Sequence, residues 1–186
     1  LAKTDMNFFA ALVLPTVFRF LFPTVYTDTI WPWLIENAKL KNKFPKLCLG
    51  LPRGFAKSTV VKLFIVYCIL FTDKKFIVIF SDIVSKAINI LTDVMDNLSE
   101  PNVIAVFGDW RVGVTKDTLD EKRFSFRGRQ IIIKAIGAEG SVRGLLINNQ
   151  RPDMMVFDDI QTSACAMSEV QTASLENWLY GSALKA

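Results

Sequence analysis

The chain has 186 residues, 51% of them hydrophobic with fifteen Phe, and a formal net charge of +4. That length suffices for one α/β domain with a substantial core, and that apolar content excludes a disordered tail. The mild basic balance is compatible with nucleic acid without demonstrating it. There is no histidine, and Cys48, Cys68 and Cys165 stand far apart with no C-x-x-C. Disulfide scaffolds, zinc sites and histidine-based triads are therefore poor readings. Cys48 and Cys68 fall in apolar stretches and are expected as reduced core residues of an intracellular protein. The longest apolar run, Leu63 to Phe71, is far short of the ~20 residues that span a bilayer. Pro15 and Arg19 interrupt the apolar N-terminal stretch, which does not read as a signal peptide. A soluble protein without a membrane partner is expected.

Residues 5 to 45 are rich in aromatics and proline, and the pattern predicts helices broken at Pro15, Pro23 and Pro32. This N-terminal helical segment, 1–45, is expected to pack on a domain spanning 46–186, with Phe44 and Pro45 as candidates to face a base. Lys46 to Leu49 is short and apolar and predicts a buried strand. Then comes Gly50-Leu51-Pro52-Arg53-Gly54-Phe55-Ala56-Lys57-Ser58-Thr59, followed by an apolar run from Val60 to Leu70 that predicts a helix. Strand, turn-rich loop and a helix opening on Lys-Ser-Thr is the context of a phosphate-binding loop. Backbone N–H groups at a helix N-terminus point at an anion, and the helix dipole favours negative charge. Lys57 is placed to reach the β- and γ-phosphates of ATP, and the Ser58 hydroxyl to ligate Mg²⁺. The pattern G-x-x-x-x-G-K-[ST] would put glycine at 51 and 56, where this chain has Leu51 and Ala56. The Ala56 Cβ is harmless in a right-handed conformation and costs roughly 1–2 kcal/mol if φ is positive.

Thr72 to Lys75 is a polar turn, and Phe76 to Phe80 a continuous apolar strand of the kind covered on both faces of a parallel sheet. Ser81 and Asp82 can cap the next helix, whose apolar positions Ile83, Val84, Ala87, Ile88, Leu91, Val94, Met95 and Leu98 follow helical spacing. Pro101 marks its end. Residues 102 to 122 are irregular and charged and predict no element. Phe124–Phe126 and Ile131–Ala135 flank Arg127-Gly128-Arg129-Gln130, a hairpin with a basic tip. Residues 137 to 144 form a polar, glycine-rich loop. In Met154-Met155-Val156-Phe157-Asp158-Asp159, four apolar residues run into two carboxylates, which describes a strand ending at the edge of a sheet. Alternating side-chain directions put the two acids on different sides. A Walker B arrangement gives both a reason: Asp158 holds the Mg²⁺ shell, and Asp159 orients or deprotonates the attacking water. An exposed acidic strand end is the plain alternative. Ser168 to Lys185 predicts a closing helix.

Three blocks then resemble the large terminase subunit of tailed bacteriophages, the ATPase that packs viral DNA. Pro52-Arg53-Gly54-Phe55-Ala56-Lys57-Ser58-Thr59 is similar to that family's divergent phosphate loop, Ser141-Val142-Arg143-Gly144 to its V-R-G block, and Arg151-Pro152-Asp153 through Asp158-Asp159 to its R-P-D…D-D strand. The resemblance implies an α/β P-loop NTPase with a RecA-like, mostly parallel sheet flanked by helices. It implies ATP and Mg²⁺ as cofactors, and a homo-oligomeric ring on a procapsid in the host cytoplasm. The partners it implies are double-stranded viral DNA, the portal protein and the small terminase subunit. Arg53 and Arg143 are both candidates for the catalytic cation. Ala56 departs from the family's glycine, and Asp159 stands where many relatives carry glutamate. The chain begins at Leu1 and ends at Ala186 without the family's coupling motif or nuclease domain, so a truncated ATPase domain is expected. A helicase or a small-molecule kinase is the rival within P-loop enzymes, and a module that binds ATP without turnover is the rival outside them.

Overall fold

The computed structural model describes residues 1–40, 45–138, 140, 142, 145–162 and 167–185. They divide into two compact units: Leu1–Asp73 with Asp93–Val112, and Lys74–Thr92 with Gly113–Ala186. The architecture is mixed α/β, a five-stranded sheet with flanking helices.

In the first unit, helix α1 (Met6–Val13) is capped by Asp5, whose carboxylate accepts from the Phe8 N–H at 2.9 Å. A π-helical turn (Val25–Ile30) runs straight into α2 (Trp31–Ala38), so the helical path continues through Pro32 where a break was expected. Pro15 and Pro23 fall between these helices, as expected of proline breaks. Helix α3 (Lys57–Phe71) buries Leu63 and every residue from Ile65 to Leu70, so it is covered nearly all round. The aromatic N-terminal segment supplies much of that cover. Phe9 and Trp31 lie with ring centroids 5.8 and 5.4 Å from Tyr67, and the Tyr67 hydroxyl donates to the Lys3 carbonyl at 3.1 Å. Rings in edge-on and tilted contact add roughly 0.5–1.5 kcal/mol per pair beyond their burial. Helix α5 (Pro101–Phe107) occupies part of the stretch that predicted no element. Pro101 opens it, as proline suits the first helical position, and the helix before it ends at Leu98, close to that proline as expected.

The second unit holds the sheet, in the order β2–β3–β4–β1–β5. Strand β1 (Phe76–Ser81) pairs in parallel with β4 (Arg129–Gly137) on one side and β5 (Met154–Phe157) on the other. Strands β2 (Val114–Asp117) and β3 (Glu121–Phe126) extend it antiparallel from β4. The expected mostly parallel sheet is therefore met only in the β4–β1–β5 half. Antiparallel pairing of β3 with β4 follows from their connection: Arg127 and Gly128, both with positive φ, form a two-residue hairpin turn, which cannot join parallel strands. Phe76, Val78 and Phe80 on one face of β1 and Ile77 and Ile79 on the other are all buried. The first three join Ile132, Ile136, Val142 and Ile147 in a cluster packed by Trp178 and Leu179 of α6 (Glu169–Gly181). Phe80 and Phe157 stack at 4.8 Å across adjacent strands. Ser168 caps α6 by accepting from the Gln171 N–H. Helix α4 (Val84–Leu98) follows β1 as its spacing predicts.

The predicted strand Lys46–Leu49 does not form. Residues 45 to 50 carry no regular structure, and Leu47 and Cys48 are exposed. A strand needs a hydrogen-bonded neighbour, and apolar character alone does not provide one. Of the cysteines, Cys68 is buried as expected, Cys48 is not, and Cys165 lies outside the described residues. No helix among the described residues is long and apolar enough to cross a membrane.

Candidate functional site

The loop of the first unit turns into α3 through two left-handed residues. Gly54 has φ +87°, and Ala56, the residue before Lys57, has φ +47° and ψ +25°. Ala56 makes no side-chain cap, and the first turn of α3 contains no acid. The opening turn therefore brings backbone N–H groups of Lys57, Ser58 and Thr59 together with the lysine side chain. That is a donor set fitted to phosphate. Pro52, Arg53, Gly54, Phe55, Ala56 and Ser58 are exposed, and Lys57 and Thr59 half-buried. Phe44 lies outside the described residues, while Pro45 is exposed.

The loop is tethered by a residue that sequence reasoning passed over. Tyr26, 3% exposed, donates its hydroxyl to the Phe55 carbonyl in a short hydrogen bond. Its ring lies 5.5 Å from Phe22, which stacks on Phe18, and burial raises the Tyr26 pKa, so the phenol stays protonated and donating. The aromatic repetition at 18, 22 and 26 was legible; its link to the loop was not.

In the second unit the carboxyl ends of β1 and β5 lie side by side. The Asp158 N–H donates to the Phe80 carbonyl at 2.9 Å and the Asp82 N–H to the Asp159 carbonyl at 3.3 Å. Asp158 is buried, 9% exposed, and Asp159 is exposed with φ +47°. Asp82 serves the start of α4, accepting from the Ile83 N–H at 2.8 Å and from Lys86 Nζ at 2.6 Å. The Lys86 hydrogen bond leads the interactions that hold its pKa below the usual range. The R-P-D block proves structural at its last residue. Asp153 accepts from the N–H groups of Lys75 and Phe76 at 2.8 and 3.1 Å, closing the start of β1, and its burial raises its pKa. Of the glycine-rich loop, Val142 is buried in the core cluster and Gly140 accepts from Trp178 Nε1 at 3.0 Å. Arg143, with Ser141 and Gly144, lies outside the described residues.

Five non-glycine residues among those described have positive φ: Ala56, Arg127, Asn148, Asn149 and Asp159. Arg127 sits in the hairpin turn, and Asn148-Asn149 in the turn closed by the Ile147–Gln150 bridge. Such turns demand that conformation. The other two fall at the lysine of the loop and at the second of the paired acids. Strain of this kind, costing of order 1–3 kcal/mol, gathers where a site over-determines the backbone.

Among the described residues no three acidic, cysteine or histidine side chains converge on a metal position. Mg²⁺ does not require such a cage, because it keeps several waters and is held by one or two carboxylates together with substrate phosphates. Ser58 in the first unit and Asp158 in the second are each a hard oxygen donor of the kind that ion takes. Comparison with protein-family models, curated proteins and solved structures found no significant match to this chain.

Proposed function

We propose that the chain is an ATP hydrolase of the P-loop class with a RecA-like core, related to the large terminase subunits whose motifs it resembles, and that it drives double-stranded DNA. The observation that carries this is the left-handed Gly54 and Ala56 delivering an uncapped helix end with Lys57 and Ser58 in its first turn. A second left-handed residue at Asp159 supports the same assignment for the paired acids. Lys57 and the N–H groups of the α3 opening bind the β- and γ-phosphates; each motif separately assigns an Mg²⁺ ligand, Ser58 in the loop and Asp158 at the end of β5. The ion, when bound, neutralises charge developing on the phosphates. Asp159, exposed to solvent, orients the attacking water and takes its proton. Arg53, exposed on the loop, and Arg143 are the candidates for the cation that completes the charge balance. In keeping with the resemblance, a homo-oligomeric ring, a portal protein and a small terminase subunit are the partners.

Steady-state phosphate release tests the assignment. Lys57→Ala lowers turnover by about 10²-fold or more, the scale of losing one preorganised donor to developing charge. Asp159→Asn leaves Mg²⁺·ATP bound but unhydrolysed. Release near the wild-type rate in Lys57→Ala refutes the phosphate-loop assignment.

A further inference from the structure

We propose that one face of the antiparallel half of the sheet, carrying Lys116, Arg123 and Lys134, binds the phosphate backbone of double-stranded DNA. The register sets Lys116 opposite Arg123 and Glu121 opposite Lys134, with Glu121 and Arg123 two apart on β3. All four side chains therefore share one face. Glu121 is 2% exposed and lies at the centre of the group. Lys116 Nζ is 3.0 Å from it, Lys134 Nζ 3.5 Å, and the Arg123 guanidinium hydrogen-bonds it closely.

One buried carboxylate needs one cation. Three around it leave two positive charges in excess, on side chains that are 40%, 27% and 26% exposed for Lys116, Arg123 and Lys134. Like charges directly opposite across strands, as Lys116 and Arg123 are, repel. The arrangement is costly unless an external anion meets it. Residues 114 to 134 hold six basic and three acidic residues, net +3 of the chain's +4.

Duplex is favoured over single strands because the face offers no stacking platform. The two aromatics of residues 114–134, Phe124 and Phe126, are buried on the opposite face. Single-strand binding relies on aromatic stacking, whereas duplex binding rests on the phosphate backbone. The choice of duplex DNA rests on the translocase assignment above, but the test uses no nucleotide.

The full chain is titrated against a labelled random-sequence duplex over a salt series. Lys116→Gln combined with Lys134→Gln keeps Arg123 beside Glu121, so the buried carboxylate stays paired. The expected result is weaker binding and a log–log salt slope shallower by about 1.8, at about 0.9 per phosphate contact. In the unaltered protein, saturating duplex suppresses amine acetylation of Lys116 and Lys134, read by mass spectrometry. An unchanged slope and affinity, equal acetylation with and without duplex, or no duplex binding by the unaltered chain overturns the proposal. Tighter, variant-sensitive binding of single-stranded DNA or RNA of equal length overturns the duplex assignment. Duplex binding of this kind without phosphate release from ATP leaves the surface standing and removes the hydrolase. Hydrolysis with an unchanged salt slope does the reverse.

Discussion

Replacing Ala56 by glycine should stabilise the protein, although glycine within a helix is usually a loss. Ala56 holds φ +47° and ψ +25°, where its Cβ crowds the carbonyl that follows. The cost of that conformation to a residue with a Cβ is about 1–2 kcal/mol. Glycine removes it but enlarges the conformational freedom of the unfolded chain, worth about 0.4–1 kcal/mol in the opposite sense. Ala56 is exposed, so no core burial is lost with the methyl group. The net gain is about 0.5–1 kcal/mol, or about 1–4 °C in Tm for a chain of this size. The reciprocal change, Gly54→Ala at φ +87°, meets no atom within 4 Å. It should destabilise through backbone strain alone, by about 1 kcal/mol. Calorimetry of both variants beside the parent checks the pair. A lower Tm for Ala56→Gly together with an unchanged Tm for Gly54→Ala would show that the loop does not turn through left-handed residues, and the phosphate-cradling geometry would fall with it.

Two other substitutions reach the supports. Tyr26→Phe removes the hydroxyl that holds the Phe55 carbonyl, which should cost about 0.5–1.5 kcal/mol of stability and weaken ATP binding more than it lowers kcat; an unaltered nucleotide Kd in a correctly folded variant refutes the tether. Burial alone would raise the Glu121 pKa, but hydrogen bonds from Lys116 and Arg123 bring it below its ordinary 4.5. A depressed carboxylate contributes stability that is present above the unfolded pKa and lost as pH falls through the folded one. Tm should therefore fall on acidification below about pH 4.5 and fall less in Glu121→Gln, and identical acid profiles would contradict this.

Local signals were strong where a structure could be built from neighbours in sequence. Helix α4 follows its i, i+3, i+4 pattern, α6 its Ser168 cap, and the β3–β4 hairpin its Arg127-Gly128 turn. The apolar runs at Phe76–Phe80 and Met154–Phe157 became strands, the first buried on both faces, as unbroken apolar character implies, and the second half-buried at the edge of the sheet. The loop at Gly50–Thr59 and the paired acids were visible as composition.

What the sequence could not determine was anything that depends on a distant partner. Lys46–Leu49 has a strand's composition and no strand, since a strand exists only by pairing. β2 formed in a charged segment because β3 supplied a ladder for it. The left-handed turn at Ala56 is fixed by the route from the loop into α3, against the residue's own preference. Asp153 reads as part of a motif and acts as a clasp on β1, while Glu121 reads as one more surface charge and is the buried centre of three cations. Both outcomes come from strand register, which brings residues far apart in the chain within hydrogen-bonding distance and is not written in the spacing of either segment alone.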